Sequence, residues 1–198
     1  MTTIAVLGNG RVGGGLADGL SRAGHQVTVA DRTPGSADAA IGAAHVVINA
    51  TPGAGSLERL SALRAPLRGK ILLDVSNATI DGPDGLPADL VYQGPSLAER
   101  LQAALPETQV IKTLNTMLYS VMTAPASLEQ PPTVFLSGED PSAKQIVRRL
   151  LGDLGWRPEW ITDLGGIETA RAAEAAILFV PHVIRSGGFA PFAVSIAR

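Results

Sequence analysis

Residues 8–13 read Gly-Asn-Gly-Arg-Val-Gly, and Gly14, Gly15 and Gly19 follow closely, so six of thirteen residues from Gly8 to Leu20 are glycine. Glycine inside a helix costs roughly 1 kcal/mol relative to alanine, so this stretch must need bare backbone. The G-x-G-x-x-G spacing supplies a reason. Gly8 permits a tight strand-to-helix turn, Gly10 lets the backbone approach a diphosphate, and Gly13 lets the helix pack close to a sheet. The unpaired N–H groups and partial positive charge at the helix start then face the phosphates. Gly14 and Gly15 lie outside this requirement. The pattern is loose alone, but here a strand-like run precedes it, an amphipathic helix follows it, and a second strand ends in Asp31. That context predicts a dinucleotide site.

The cofactor is read at the end of the second strand. Asp31 would accept from an adenosine 2′-hydroxyl, which argues for NAD. Arg32 and Thr33 are the residue types that hold a 2′-phosphate, which argues for NADP. The residues alone leave both open.

No residue presents itself as catalytic. His25 lies in an "AGH" turn, His45 opens the third strand, and His182 follows Pro181 near the C-terminus. Each reads more readily as structural than as a proton donor, although the C-terminal element that carries His182 could fold over a nicotinamide. Lys112, near the end of a strand, could reach the cleft as a proton donor, but is expected to run its stem along the sheet and keep its head in solvent. Asp74, Asp81, Asp84 and Asp89 have no histidine or cysteine among them, so no metal site is expected. Asp81 to Gly85, "DGPDG", reads as turn chemistry. Hydride transfer between two stacked rings needs positioning more than an acid or base, and this scarcity suits it.

The elements that must position these residues follow from apolar runs. "TIAVLG", "QVTVAD", "HVVINA", "KILLDVS", "QVIKTLN" and "TVFLSG" are short, β-branched and mostly continuous, which suits strands buried on both faces of a parallel sheet. Helical segments alternate with them. Val12, Leu16 and Leu20 make a core-facing stripe after the glycine loop. Ser96 caps a helix carrying Leu97, Leu101 and Leu105, and Asp140 with Pro141 opens another. Strands alternating with helices predict a doubly wound α/β fold of Rossmann type. Residues 32–44 are too few for the helix, edge strand and second helix usual at that point, so one edge strand is expected to be missing. "GGIETARAAEAAILFVPHVI" reads as one alanine-rich helix. The expected division is a dinucleotide-binding domain over 1–164 and a helical extension over 165–198. The extension, with Trp156, Trp160 and the apolar tail "FAPFAV", is suited to a dimer surface.

Composition bounds the rest. The chain has 198 residues, 45% hydrophobic and 17% charged, with a net charge of −2. It has no run of Lys or Arg that would mark a nucleic-acid partner. The absence of cysteine excludes disulfides, iron–sulfur clusters and thiolate chemistry. "MTTIAVLG" lacks a basic leader and a long apolar run, so a cytoplasmic protein with no membrane partner is expected.

"IAVLGNGRVGGGLADGLSRAGHQVTVADR", "VINATP", "GKILLDVSNAT", "VIKTLNTM" and "LSGEDPSAKQIVRRLLGDLGW" together resemble the deazaflavin (coenzyme F420)-dependent NADP reductases and the small dinucleotide-binding reductases around them. The resemblance runs in order over nearly the whole chain. It implies an NADP(H)-binding Rossmann fold, a homodimer, and hydride exchange between nicotinamide and a deazaflavin or flavin. By motif, it places Asn9, Arg11 and Val12 at the phosphates and Arg32 and Thr33 at the 2′-phosphate. Ala50, Thr51 and Pro52 would border the nicotinamide ribose, with Asn77 and Asn115 near the ring. The family tends to carry a small residue where this chain has Asp31, so NAD stays as the alternative cofactor. A reductase of a small carbonyl or imine, and an NADP(H)-sensing module without turnover, are the alternative functions.

Overall fold

The computed structural model describes residues 1–31 and 33–197. The chain begins with β1 (Thr3–Leu7), α1 (Arg11–Arg22), β2 (Gln26–Ala30), α2 (Ser36–Ala43) and β3 (Val46–Asn49). It continues through α3 (Ser56–Ala62), α4 (Arg64–Leu67), β4 (Ile71–Asp74), a hairpin of β5 (Thr79–Asp81) and β6 (Pro87–Leu90), α5 (Leu97–Ala104) and β7 (Gln109–Lys112). It closes with α6 (Tyr119–Met122), β8 (Val134–Ser137), α7 (Pro141–Asp153), β9 (Ile161–Gly165), α8 (Ala170–Ala175) and α9 (Val180–Gly187).

Seven strands form one sheet in the order β2-β1-β3-β4-β7-β8-β9. Successive residues of one strand feed opposite cores. Ile4 and Val6 join Leu16, Leu20, Val147 and Leu151 on one face. Ala5 and Leu7 join Ile41, Leu60, Leu97 and Leu101 on the other. This two-sided burial is why the strands read as continuous apolar runs. The expected α/β architecture is therefore present, and β2 is an edge with only α2 between it and β3. At that edge β2 alternates exposed and covered positions instead of being buried on both faces.

Three features differ from the sequence reading. The sheet is mainly, not wholly, parallel: β8 meets β7 antiparallel through Lys112 and Ser137. The link from β7 to β8, residues 113–133, holds only the short α6 and a single turn of 3-10 helix at Pro125–Ser127, and no long helix of the kind that usually carries a parallel return. The hairpin and β9 were not expected, because they lack a continuous apolar run: much of each is exposed. The alanine-rich C-terminal segment is also not one helix. It splits into α8 and α9, with 3-10 turns at Ile167–Thr169 and Ala176–Phe179, and Pro181 sits in the first turn of α9, where its missing N–H does no harm.

The caps fall where the sequence placed them. Ser96 and Glu99 make a reciprocal capping box on α5, and Asp140 accepts from the Ala143 amide at the start of α7. Trp156 is core and not a dimer surface: it is 2% exposed and its indole N–H donates to the Met122 carbonyl at 2.9 Å. Trp160 packs against the same core, half-buried. The C-terminal tail folds back on the loop after β7, where Leu118 N–H donates to Phe192 O and Val194 N–H to Thr116 O. Among the described residues no helix is long and apolar enough to cross a membrane.

Candidate functional site

The glycine loop and the turns after β3, β4 and β7 all follow the carboxyl ends of neighbouring parallel strands, the place where open α/β sheets bind ligands. Gly8 has φ of +106°, and a Cβ there would lie 2.7 Å from Ala50 O. A Cβ on Gly13 would lie 1.9 Å from Gly8 O, so both positions are closed to side chains by the protein itself. At Gly10 nothing lies within 4 Å, and the same holds for Gly15, while Gly14 meets only the Asn9 side chain at 4.0 Å. Gly10 is the N-cap of α1 and has no side-chain cap, so the first N–H groups of the helix point out beside open space. This is the cradle a diphosphate would fill. Asn9 and Arg11 are exposed and Val12 is half-buried, and the Arg11 guanidinium lies over the Tyr119 ring at 4.9 Å. That contact brings α6 beside the loop.

At the end of β2, the exposed Asp31 accepts from the Thr33 amide at 2.8 Å, and Ser36 Oγ accepts from the Asp31 amide at 3.1 Å. The Thr33 amide, and then the hydroxyls of Thr33 and Ser36, hold the Asp31 carboxyl below its ordinary pKa. Asp31 thus organises its own loop. Arg32, expected to contact the 2′-phosphate, lies outside the described residues.

The turn after β3 is built around Thr51 by Asn49 and Arg59, which the sequence reading did not single out. Thr51 Oγ1 and N–H both donate to Asn49 Oδ1, at 2.6 and 3.3 Å. Arg59, from α3, donates to Thr51 Oγ1 and to Pro52 O. A Cβ on Gly53 would strike Asn77 O at 2.2 Å, so this turn is pressed against the end of β4. Asn77 and Asn115 are joined twice: Asn77 Nδ2 donates to Asn115 O at 2.8 Å, and Asn115 Nδ2 to Asn77 Oδ1 at 2.9 Å. Leu114, beside Asn115, holds φ of +62°, a strained conformation for a leucine that costs about 1–3 kcal/mol. Gly8, Ala50, Gly53, Asn77 and Asn115 therefore form one continuous rim.

Beneath the rim lies a dry polar row. The sheet register sets Asn49 beside Asp74 and Asp74 beside Lys112, each the last residue of its strand. Lys112 does not reach solvent as expected. Its Nζ donates to Asp74 Oδ2 at 2.8 Å, to Glu174 Oε1 at 3.1 Å and to Ser76 O. Burial would lower the Lys112 pKa, but the charges of Asp74 and Glu174 outweigh it and hold the ammonium above its ordinary value. Asn49, Asp74, Lys112 and Glu174 left a trace in the sequence: polar residues ending apolar runs in "VVIN", "ILLD" and "QVIK", and one acid within an alanine-rich helix.

The histidines lie away from the rim. His25 bonds the Thr2 amide and Asp153, His45 receives its place from Thr3, and His182 lines a cleft between the β5–β6 hairpin and α9. Among the described residues no three His, Cys, Asp or Glu side chains gather as metal ligands.

Comparison with known proteins places the chain among relatives of the same fold. The sequence profile of the family described as NADP oxidoreductase, coenzyme F420-dependent, matches residues 3–53. A candidate F420-dependent NADP reductase from Arthrobacter sp. FB24 shares 36% identity over the whole of both chains, with a TM-score of 0.91. A hypothetical protein from Sinorhizobium meliloti shares 28% identity over 84% of this chain and 86% of its own, with a TM-score of 0.65. A reductive aminase from Aspergillus terreus, solved with NADPH and ethyl levulinate, shares the fold at 19% identity over 94% of this chain and 63% of its own, with a TM-score of 0.62. No curated protein matches the sequence.

Proposed function

The chain belongs to the family of coenzyme F420-dependent NADP oxidoreductases, and we propose that it exchanges a hydride between NADP(H) and a flat deazaflavin or flavin partner held beside Asn77 and Asn115. It is an NADP-dependent oxidoreductase; the identity of the partner is the proposal. The observation that carries it is the make-up of the rim. Its amides on Asn77 and Asn115 and its Thr51 hydroxyl are fixed by each other, by Asn49 and by Arg59, while Lys112 has no exposure and a partner for each ammonium hydrogen. Such a rim orients rings and supplies no obvious proton, which suits direct transfer between two stacked cofactors.

The glycine cradle fits the cofactor: the protein closes Gly8 and Gly13 to any side chain and leaves the space beside Gly10 free. Gly8, Asn9, Gly10, Arg11, Val12 and Gly13 would hold the diphosphate. Thr33, with Arg32, would take the 2′-phosphate, and Asp31 would shape that loop. Ala50, Thr51 and Pro52 would border the nicotinamide ribose. When bound, the nicotinamide supplies or accepts the hydride. The role of Asn77 and Asn115 is to hold the ring face that exchanges it. Residues 165–198 would pair two copies, a reading that the exposed Phe179, Val183 and Phe189 support.

The test is titration with NADPH and NADH by nicotinamide fluorescence, then an acceptor screen of deazaflavin, flavin, quinone, ketone and imine. NADPH preference with deazaflavin- or flavin-dependent turnover is expected. Turnover confined to ketones or imines would replace this reading with carbonyl or imine reduction. Binding with no turnover on any acceptor would point to a sensing module.

A further inference from the structure

The polar row under the rim is fully satisfied, yet it sits where a sheet of this kind is otherwise apolar. Lys112, Asp74 and Asn49 end β7, β4 and β3, on the face whose other residues pack with α5. The side chains of Lys112 and Asp74 are both 0% exposed. An ion pair in such surroundings gains little net stability over apolar residues of the same size, so its retention calls for another account.

The hydrogen-bond directions supply one. An ammonium only donates, so Asp74 Oδ2 accepts from Lys112. Asp74 Oδ1 then accepts from Asn49 Nδ2 at 2.8 Å and from Ser76 Oγ at 2.8 Å. With its NH2 turned toward Asp74 and Ser56, Asn49 can present only its carbonyl oxygen to Thr51. A carboxylate paired with an ammonium only accepts, so the Asp74–Lys112 pair turns the Asn49 NH2 inward and its carbonyl oxygen to the turn after β3. At the other end, Glu174 from α8 accepts from Lys112 and also from the Leu97 and Ala98 amides at the start of α5.

We propose that Lys112 is a positioning residue: acting through Asp74 and Asn49, it fixes the Thr51–Gly53 turn against which the nicotinamide half of the cofactor rests, and Glu174 ties that turn to the C-terminal helix α8. The role rests on the cofactor reading above, but it needs no proton transfer and no contact between Lys112 and substrate.

The experiment compares NADPH with 2′,5′-ADP, which carries only the adenosine half, on wild-type protein, Lys112→Met and Asn49→Ala. Asn49→Ala breaks the link at the turn and leaves the Lys112–Asp74 pair in place, so it serves if Lys112→Met does not fold. Each folded variant should lose about tenfold in NADPH affinity while binding 2′,5′-ADP within about twofold of wild type. Equal losses for both ligands would reduce the row to general structural support and overturn the role. Unchanged NADPH affinity in Asn49→Ala would overturn it as well. Wild-type protein that binds neither ligand would overturn the cofactor reading itself, a result distinct from either.

Discussion

Asp74 and Lys112 are register partners at the ends of β4 and β7, and their side chains meet at 2.8 Å with no exposure to solvent. Removing one partner of a buried pair leaves the other charge uncompensated. Lys112→Met is therefore expected to cost about 3–5 kcal/mol of folding stability, measured by urea unfolding at pH 7. A loss below about 1 kcal/mol would mean that the pair is not held dry in solution.

The glycine loop separates packing from ligand space. Gly13→Ala places a Cβ 1.9 Å from Gly8 O and should both lower stability, by about 1–3 kcal/mol, and abolish NADPH binding. Gly10→Ala meets no protein atom, so its melting temperature should stay near wild type while NADPH affinity falls about tenfold. If Gly10→Ala binds NADPH as wild type does, the diphosphate is not held there.

Gly15→Ala should raise stability by up to about 1 kcal/mol, because nothing opposes the added methyl and alanine is the better helix former. Thermal unfolding reads this directly, and a lowered melting temperature would show that the position has a packing duty.

Asp31 bears on cofactor choice through charge and loop shape. Asp31→Ser keeps a side-chain oxygen for the Thr33 amide and removes the negative charge, so the ratio of NADPH to NADH affinity should rise. Fluorescence titration with both cofactors checks it. An unchanged ratio would mean that the carboxylate does not face the adenosine ribose.

Acid should loosen the seam between α5 and α8. Burial would raise the Glu99 pKa, but the Ser96 amide and the Arg171 guanidinium overcome it and hold the carboxyl below 4.5. A lowered pKa contributes stability that is present above about 4.5 and is lost as pH falls through the folded value. Glu99→Gln can keep the capping box but loses the charge that faces Arg171, so it should cost up to about 1 kcal/mol at pH 7 and flatten the fall in stability below pH 4.5. Equal acid slopes in the two proteins would remove Glu99 from the account.

Much of the fold is legible along the chain because local rules carry it. Two-sided burial makes β1, β3 and β4 continuous apolar runs, and Ser96 and Asp140 cap their helices by contacts within three residues. The hairpin and β9 were missed since exposed strands carry no such run. Of the rim, Ala50, Thr51, Asn77 and Asn115, named by motif, lie within three residues of a strand end; Asn49, Arg59 and Glu174 were missed because each acts on a residue distant in sequence or on a turn whose shape no local pattern gives.

The sequence by itself determined the glycine loop, the alternation of strands and helices, and the missing edge strand, since each depends on spacing within a few residues. Only the tertiary structure decided where Lys112 points, that β8 runs against β7, and that Trp156 is core. The physical reason is common to all three. A side chain's surroundings and a strand's direction are set by which segments become neighbours across the sheet. Glu174 lies 62 positions from Lys112 (174 − 112), and no local pattern announces that they meet.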